Sequence, residues 1–327
     1  MKIVYHERYL EHEQHFGHPE SPDRLRAITG ALAKHELFTD VIKPEKAGEK
    51  EILGVHTPEY LSYLSELGEG IIDMDTSSHP ETYEIALLSA GGALTAGKIA
   101  LDEGSSIALV RPPGHHAGKD FGGGFCYINN AAVCAKAMLE RCKRVAIVDI
   151  DGHHGNGTQD IFYSSPDVLY ISTHQLEIYP GTGHLSLIGE KEGVGYNLNI
   201  PFFSGCGDAS YISALEELIL PILDDFKPGL VIVSLGVDSH SLDPLTGLEV
   251  STKGYIEMLK AMFRYKAMFL LEGGYDLDAL ADVFCALVSA GEGKEYAIKY
   301  TDSIDTDCRG RERIDAAKKL FSNYWKL

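Results

Sequence analysis

A short apolar run that ends abruptly in polar, metal-capable side chains is the feature that most constrains this sequence. Val145–Val148 is followed at once by Asp149, Asp151 and His153. The pattern predicts a buried strand over Val145–Asp151 whose carboxyl end turns polar. Because side chains alternate along a strand, the three polar side chains are expected on one side, where they can converge on a cation. Buried carboxylates are costly unless something binds them, so a metal or catalytic site is predicted here rather than a hydrogen-bonded turn.

Apolar strands alternate with helical segments along the rest of the chain. The predicted strands are Lys2–Tyr5, Ser105–Val110, Val145–Asp151, Asp167–Thr173, Tyr196–Ile200, Leu230–Gly236 and Met268–Glu272. The predicted helices are Pro22–Leu37, Pro58–Leu67, Glu81–Asp102, Asn129–Arg141, Ala209–Asp225, Thr252–Arg264, Leu277–Ala290 and Arg311–Tyr324, with Gly68–Pro80 as a surface loop. This order predicts a mostly parallel sheet with helices on both faces. No linker interrupts it, so residues 1–327 are predicted to form a single α/β domain.

Composition limits the partners of such a domain. The formal net charge of -19 argues against direct binding to nucleic acid or to an anionic membrane. It favours cationic partners, such as lysine-rich segments or polyamines, or serves only solubility. No signal peptide and no run of 18 apolar residues is recognised, so a membrane span is not expected. Six cysteines without a Cys-x-x-Cys pair predict reduced thiols in a cytoplasmic protein: Cys126, Cys134, Cys142, Cys206, Cys285 and Cys308.

Polar side chains follow several of the predicted strands, at the edge where an open α/β sheet binds its ligands. They are His115 and His116, Asp151 and His153, Ser172–His174, Asp238, and Glu272–Tyr275. One such strand end alone would be a weak signal. Five of them in one chain predict a binding site at that edge of the sheet.

Three of these side chains form a plausible metal-ligand set. Asp151, His153 and Asp238 would leave coordination positions open for water and substrate, as a catalytic zinc ion requires. A structural zinc site would more often have four ligands including cysteine, and no cysteine lies in these motifs. Mixed oxygen and nitrogen ligands also suit iron(II) or cobalt(II), so the identity of the metal stays open.

The histidine pair suggests acid–base chemistry. If Asp149 holds one of His115 and His116 while the other faces Asn156, the two imidazoles differ in basicity, because a carboxylate raises the pKa of a histidine more than an amide does. Tyr275, which follows two glycines, can point its phenol at a metal-bound carbonyl oxygen. The alternative for each of these residues is an ordinary structural role.

Five motifs together resemble the zinc-dependent histone deacetylase family, which includes acetylpolyamine amidohydrolases and acetoin-utilisation proteins. They are Arg111-Pro-Pro-Gly-His-His-Ala117, Gly124-Phe-Cys-Tyr-Ile-Asn-Asn-Ala131, Asp149-x-Asp-x-His-His-Gly155, Tyr179-Pro-Gly-Thr-Gly183 and Leu271-Glu-Gly-Gly-Tyr275. The segment His18-Pro-Glu-x-Pro-Asp-Arg24 and the amide of Asn156 resemble the class II branch of that family.

The resemblance implies an arginase/deacetylase-type fold and hydrolysis of an acylated amine by metal-activated water. It implies zinc ligands at Asp151, His153 and Asp238, a general base and acid at His116, and an oxyanion donor at Tyr275. His115 with Asp149, and Asn156, are implied to tune the site. The implied tunnel residues are Gly124, Phe125, Tyr179, Leu245 and Ser78. The implied potassium sites are Asp149, Asp151, His153, Ser172 and Thr173 for one ion, and Phe162, Ser165, Val168 and Tyr196 for a second.

The same resemblance bears on the substrate. Polyamine deacetylases of this family carry an acidic residue near the tunnel mouth, and Leu245 stands at the matching position. This favours acylated lysine, with acetyl or longer acyl groups, over acetylated polyamines. The loop Asp73–His79 corresponds to the segment that holds the substrate amide in relatives, without a residue-by-residue match. An arginase-like dinuclear hydrolase would need further aspartate ligands, and a non-catalytic binder would be expected to lack Tyr275 or a ligand.

Overall fold

A computed structural model describes residues 1–303, 305 and 309–327 of the chain. Its strands are β1 (Lys2–Tyr5), β2 (Val41–Ile42), β3 (Gly70–Asp73), β4 (Thr76–Ser78), β5 (Ser105–Leu109), β6 (Val145–Asp149), β7 (Val168–Gln175), β8 (Asn197–Phe202), β9 (Leu230–Leu235) and β10 (Ala267–Leu271). Its α-helices are α1 (Pro22–Lys34), α2 (Glu49–Leu53), α3 (Pro58–Leu67), α4 (Thr82–Glu103), α5 (Asn130–Met138), α6 (Asn156–Phe162), α7 (Asp208–Ala214), α8 (Leu220–Phe226), α9 (Thr252–Met262), α10 (Leu277–Gly291) and α11 (Arg309–Phe321).

Eight of the strands form one parallel sheet in the order β2-β1-β5-β10-β9-β6-β7-β8. Every residue of β6, β8, β9 and β10 is buried, as expected of strands that helices cover on both faces. The remaining strands, β3 and β4, pair as an antiparallel hairpin. The predicted α/β fold class is confirmed.

The register of the central strands brings their carboxyl ends to one level. Asp149 at the end of β6 lies opposite Ser172 on β7 and Ser234 on β9. On the other side of β9, Leu235 lies opposite Leu271, the last residue of β10. The loops that follow these strands therefore emerge side by side, which places the polar residues after them in one region.

Two groups of helices cover the sheet. In one group α10 packs against α1 and α9, and in the other α4 packs against α5 and β5. By length and composition α4 could cross a membrane, but 72% of its most apolar window is buried inside the protein. In this structure α4 therefore serves as a core helix of the sheet.

Several boundaries differ from the sequence predictions. Strand β6 ends at Asp149, so the prediction of a strand extending to Asp151 was wrong, and Asp151 and His153 lie in the following loop. Gly68–Pro80 was predicted as a loop but contains the β3–β4 hairpin. The predicted helix Ala209–Asp225 is interrupted by a π-helical turn, Leu215–Ile219, before Pro221, which has no N–H to donate to the preceding turn.

Among the described cysteines, Cys126, Cys134, Cys142 and Cys285 are free thiols. Cys126, Cys134, Cys206 and Cys285 are buried, and Cys142 is half-buried. Cys308 lies outside the described residues. The four free thiols are consistent with the absence of a disulfide framework predicted from the sequence, and the cytoplasmic setting stays a prediction.

Candidate active site

A cavity of about 360 Å³ opens where the loops after the central strands meet. Four of the five predicted tunnel residues, Gly124, Phe125, Tyr179 and Leu245, line it. His116, His153 and Tyr275 line the same cavity. Residues from separate stretches of the chain thus face one cavity.

Asp151, His153 and Asp238 come together beside this cavity. One potential ligand atom from each lies within 4.8 Å of the others. The Nδ1 atom of His153 is 2.7 Å from an oxygen of Asp238 and 3.4 Å from an oxygen of Asp151. Both carboxylates are buried, and the imidazole of His153 beside them lines the cavity.

Backbone N–H groups hold these carboxylates in place. Asp151 accepts hydrogen bonds from the N–H of His153 at 2.9 Å and of Gly273 at 2.8 Å, and Asp238 accepts one from Gly152 at 2.6 Å. The loop geometry, rather than strand alternation, therefore causes the convergence. The ligand set is oriented before anything binds to it.

Gly273 leaves the space that this arrangement needs. A methyl group in place of its hydrogen would lie 2.6 Å from Asp151 Oδ2 and 2.8 Å from Asp238 Oδ2. It would also lie 3.2 Å from the hydroxyl oxygen of Tyr275. The phenol and the two carboxylates therefore surround the same point, and only glycine fits there.

The two adjacent histidines have different partners. His115 Nδ1 lies 3.1 Å from Asp149, and His116 Nδ1 lies 2.8 Å from the side-chain oxygen of Asn156. The hydroxyl of Tyr170 also donates to Asp149, at 3.0 Å. These pairs are the ones that the sequence analysis predicted, while the catalytic roles of the residues stay predictions.

Because their surroundings differ, the two imidazoles have different pKa values. Burial lowers the pKa of His115, but the carboxylates of Asp151 and Asp149 outweigh burial and raise that pKa to about 10. Burial and the neighbouring charge of His115 lower the pKa of His116 well below its ordinary value. At neutral pH the structure therefore favours a charged His115 and a neutral His116 that can accept a proton.

Tyr275 is held from both sides. Its ring packs edge-on against Phe125, with 5.8 Å between the ring centroids, and the guanidinium of Arg24 lies 5.1 Å from its centroid. Arg24 also donates to the carbonyl oxygens of Glu272 and Gly274, at 2.5 Å and 2.6 Å. Burial raises the pKa of the Tyr275 phenol well above its ordinary value, so the group is a hydrogen-bond donor at neutral pH.

The prediction that Ser78, the fifth tunnel residue, lines the cavity was wrong. Ser78 is buried opposite Gly70 in the β3–β4 hairpin and is not among the residues that line the cavity. Asp75, near the tip of the same hairpin, lines the cavity instead. The hairpin explains the error, because its turn carries Asp75 to the cavity and directs Ser78 into the protein.

The predicted potassium ligands occupy two regions. Asp149 and Ser172 face each other across the β6–β7 pair, and the buried hydroxyl of Thr173 has no hydrogen-bond partner in the protein. In the second set, the backbone carbonyl of Phe162 accepts the N–H of Ser165 at 2.8 Å. The backbone carbonyl of Tyr196 accepts the N–H of Tyr170 at 2.9 Å. Cation binding at both places stays a prediction.

Sequence reasoning missed a second group of ligand-type side chains beneath the cavity. His115, Cys126 and Glu272 are all buried, and one ligand atom from each lies within 4.8 Å of the others. Glu272 accepts the N–H of Gly114 at 2.7 Å and of His115 at 3.2 Å, which fixes the histidine loop. The spacing of these residues in the sequence carries no signal for this contact.

A buried ion cluster next to Arg24 was also missed. Glu20 pairs with Arg24 at 3.1 Å and accepts from Arg111 Nη2 at 2.9 Å, and all three side chains are fully buried. Glu20 and Arg24 both belong to the segment that begins at His18, and Arg111 opens the motif that carries the two histidines. The motifs that appeared separate in the sequence therefore meet in one hydrogen-bonded network.

Known proteins are similar to this chain in sequence, and a solved structure is similar to it in fold. The chain is 38% identical to a probable deacetylase of Archaeoglobus fulgidus, over 99% of this chain and 98% of that protein. It is 37% identical to histone deacetylase HDA1 of Saccharomyces cerevisiae, over 94% of this chain and 49% of that protein. The crystal structure of the HDA15 HD domain superposes with a TM-score of 0.91 at 34% identity, covering 99% of this chain and 94% of that one.

A family model described as the histone deacetylase domain matches residues 18–290, which include the cavity residues His116, Gly124, Phe125, His153, Tyr179, Leu245 and Tyr275. Relatives that match nearly the whole chain carry the name deacetylase. The chain therefore belongs to the histone deacetylase family and is a hydrolase that acts on amide bonds.

Proposed function

We propose that this protein is a zinc-dependent hydrolase that removes acetyl or longer acyl groups from acylated lysine side chains. The observation that carries the proposal is the meeting of Asp151, His153 and Asp238 with the Tyr275 hydroxyl around the space beside Gly273. The neutral imidazole of His116 faces the same cavity.

The residues present fit a divalent metal ion. Two buried carboxylates and one imidazole nitrogen match the donor types of catalytic zinc sites. The same group without a cation would bury two carboxylates beside the imidazoles of His153 and His115, with no metal ion to balance their charge. Asp151, His153 and Asp238 would hold the ion. A zinc ion supplies Lewis-acid polarisation of an acyl carbonyl and lowers the pKa of water.

The protein's own residues then move protons and bind charge. Nδ1 of His116 is engaged with Asn156, which leaves Nε2 free to take a proton from the attacking water. The same nitrogen then gives that proton to the departing amine. The Tyr275 hydroxyl donates a hydrogen bond to the oxygen on which negative charge develops. His115, paired with Asp149, adds positive charge beside this reaction and acts as a positioning residue.

The shape of the cavity supports a lysine side chain as the carrier of the acyl group. The rings of Phe125 and Tyr179 line the passage, and both can pack against an unbranched methylene chain. Leu245 lines the cavity without offering a charge that would pair with the distal ammonium of a polyamine. Asp75 can accept a backbone N–H of a peptide substrate.

Potassium binding is part of the same proposal. The carbonyl oxygens of Asp149, Asp151 and His153, with Ser172 and Thr173, would hold one potassium ion next to the metal ligands. A second ion would bind at Phe162, Ser165, Val168 and Tyr196. Backbone carbonyl oxygens can replace the hydration shell of a potassium ion.

A comparison of substrates tests the function. We expect zinc-loaded protein to cleave an acetyl-lysine peptide with a higher kcat/KM than acetylputrescine or acetylspermidine, and elemental analysis to find one divalent metal per chain. A far higher kcat/KM for the acetylated polyamines would overturn the substrate assignment. Two divalent metals per chain would favour an arginase-like dinuclear hydrolase instead.

A further inference from the structure

Exposed apolar side chains gather at the mouth of the cavity. Among the described residues thirteen large apolar side chains are exposed, and four of these, Phe16, Met74, Tyr179 and Leu245, line the cavity or lie next to a residue that does. Phe16 and Met74 are as exposed as such side chains can be, at 105% and 103%. Clustered exposed apolar groups mark interaction sites more often than scattered ones do.

Phe16 and Met74 stand at the tips of two tight turns. The N–H of His18 donates to the carbonyl of His15 at 3.1 Å, and Gly17 has a φ of +80°, which together place Phe16 at the outside of the turn. Met74 lies between β3 and β4, where the N–H of Asp75 donates to the carboxylate of Asp73 at 3.1 Å. Each apolar side chain is therefore displayed by a hydrogen-bonded turn.

Both turns are fastened to the wall of the cavity. His18 lies 3.0 Å from the carbonyl oxygen of Asp75 through Nε2 and packs edge-on against the Phe125 ring at 4.5 Å. Asp73 accepts the N–H of Gly124 at 3.0 Å, and Thr76 accepts that of Phe125 at 2.9 Å. The two apolar tips are thus held in a fixed relation to the passage, so that less entropy is lost when a ligand binds them.

The chain segments that border the mouth carry acidic side chains. The segments 13–19, 69–79, 177–184 and 241–246 contain no lysine or arginine. They carry the exposed carboxylates of Glu13, Glu69, Asp75 and Glu177. A cationic partner would find attraction and no repulsion from these segments.

We infer that the mouth is a docking surface for an extended peptide segment in which an apolar residue stands beside the acylated lysine and basic residues follow further along. This inference rests on the proposed function and makes its substrate class more specific. The apolar neighbour packs on Phe16 and Met74, and the basic residues face the carboxylates around them. A polyamine carries positive charge that these carboxylates would attract, but it has no apolar side chain to pack on Phe16 and Met74.

Matched peptides and variants of the whole zinc-loaded protein test the inference. One peptide has leucine or phenylalanine next to acetyl-lysine, the second has glycine there, and both carry the same basic residues. We expect the unaltered protein to favour the apolar-flanked peptide about tenfold in kcat/KM, through KM. In the double variant Phe16→Ser/Met74→Ser this ratio should fall to about one, whereas Leu53→Ser, at an exposed apolar position away from the mouth, should keep it.

A second pair of peptides tests the charge. Replacing the distant basic residues by glutamate should raise KM severalfold, and Glu13→Gln/Glu177→Gln should reduce that difference. Equal kcat/KM for apolar- and glycine-flanked peptides, or an unchanged ratio in Phe16→Ser/Met74→Ser, would overturn the docking surface while leaving the deacylase function standing. Cleavage of acetylated polyamines in preference to both peptides would also overturn it. Failure to cleave any acylated amine would instead reject the proposed function.

Discussion

The carboxylate of Asp243 accepts the backbone N–H of Tyr275, with 2.6 Å between nitrogen and oxygen. The same oxygen accepts the N–H of Asp276 at 3.2 Å, and the second oxygen accepts that of Leu245 at 3.0 Å. Asp243 is buried, so no bulk water replaces these bonds when they are lost. One side chain therefore links the loop that carries the phenol to the residue at the mouth of the cavity.

We expect Asp243→Asn to lower kcat about tenfold to a hundredfold without loss of metal. An amide has one accepting oxygen, so its NH₂ group must face either the Tyr275 and Asp276 N–H groups or that of Leu245, at a cost of about 1.5–3 kcal/mol. Steady-state kinetics with metal analysis measure the effect. In a Tyr275→Phe background the loss in kcat should disappear, because Asp243 acts through the hydroxyl. A loss of the same size in that background would show a merely structural role.

The variants His116→Ala and Tyr275→Phe should lose turnover and keep their metal. Removing a general base costs about 10²- to 10⁴-fold, and removing an oxyanion donor about 10²- to 10³-fold. Neither side chain belongs to the group of Asp151, His153 and Asp238. Single-turnover kinetics and elemental analysis of the same samples measure both quantities. Unaltered turnover in both variants would remove the mechanism.

A methyl group at position 273 should disrupt the metal site. Gly273→Ala would place a carbon within 2.8 Å of oxygens from both Asp151 and Asp238, so we expect metal affinity to fall at least tenfold and turnover to be lost. Isothermal titration with zinc and an activity assay measure this. Gly30→Ala is the matched control, because the new methyl group on α1 meets no atom within 4 Å. Normal zinc affinity in Gly273→Ala would contradict the described geometry.

The buried ion cluster should make stability depend on acid pH. Burial raises the pKa of Glu20, but the guanidinium groups of Arg111 and Arg24 outweigh burial and lower that pKa from 4.5 to about 2. Since the folded-state pKa is depressed, the stabilisation is complete above about pH 4.5 and is lost as the pH falls toward 2. The loss corresponds to about 3 kcal/mol in the free energy of unfolding.

Glu20→Gln tests this contribution by denaturant unfolding at a series of pH values. At pH 7 the variant should be less stable by about 3 kcal/mol, because two buried guanidinium groups lose their counter-ion. The difference from the unaltered protein should shrink between pH 4.5 and 2. Glu59→Gln, at an exposed position, serves as the control. A difference that stays constant across this pH range would exclude the assigned linkage.

The sequence predicted the fold well because its strands are buried on both faces. Continuous apolar runs such as β6 and β9 indicate buried strands directly from the sequence. The polar residues after them identify the edge of the sheet that carries the site. The short strand β2 and the helix α6 gave no such signal. The contact of Asp151 with His153 was predicted, but for the wrong reason, since a loop and not strand alternation brings them together.

The mouth of the cavity was harder to predict than its chemistry. Local sequence does not reveal that a short hairpin turns Asp75 outward and Ser78 inward, because the pairing of β3 with β4 decides it. Cys126 and Glu272, which lie in one buried group with His115, are far apart in the chain, and the folded sheet brings them together. The spacing of metal-ligand residues in the sequence indicates their chemistry, whereas the directions of side chains in a surface turn depend on tertiary contacts.

The position of β10 has a consequence for how the protein is made. This strand lies between β5 and β9, yet it consists of residues Ala267–Leu271, near the end of the chain. During translation the segments for β5 and β9 leave the ribosome before the strand that joins them, and each has an unpaired edge until β10 follows. Nascent chains at this stage are the natural clients of chaperones and the species most prone to aggregate. A product that stops before β10 lacks the strand that joins β5 to β9 and cannot form the complete sheet. We therefore expect premature termination there to yield no active enzyme.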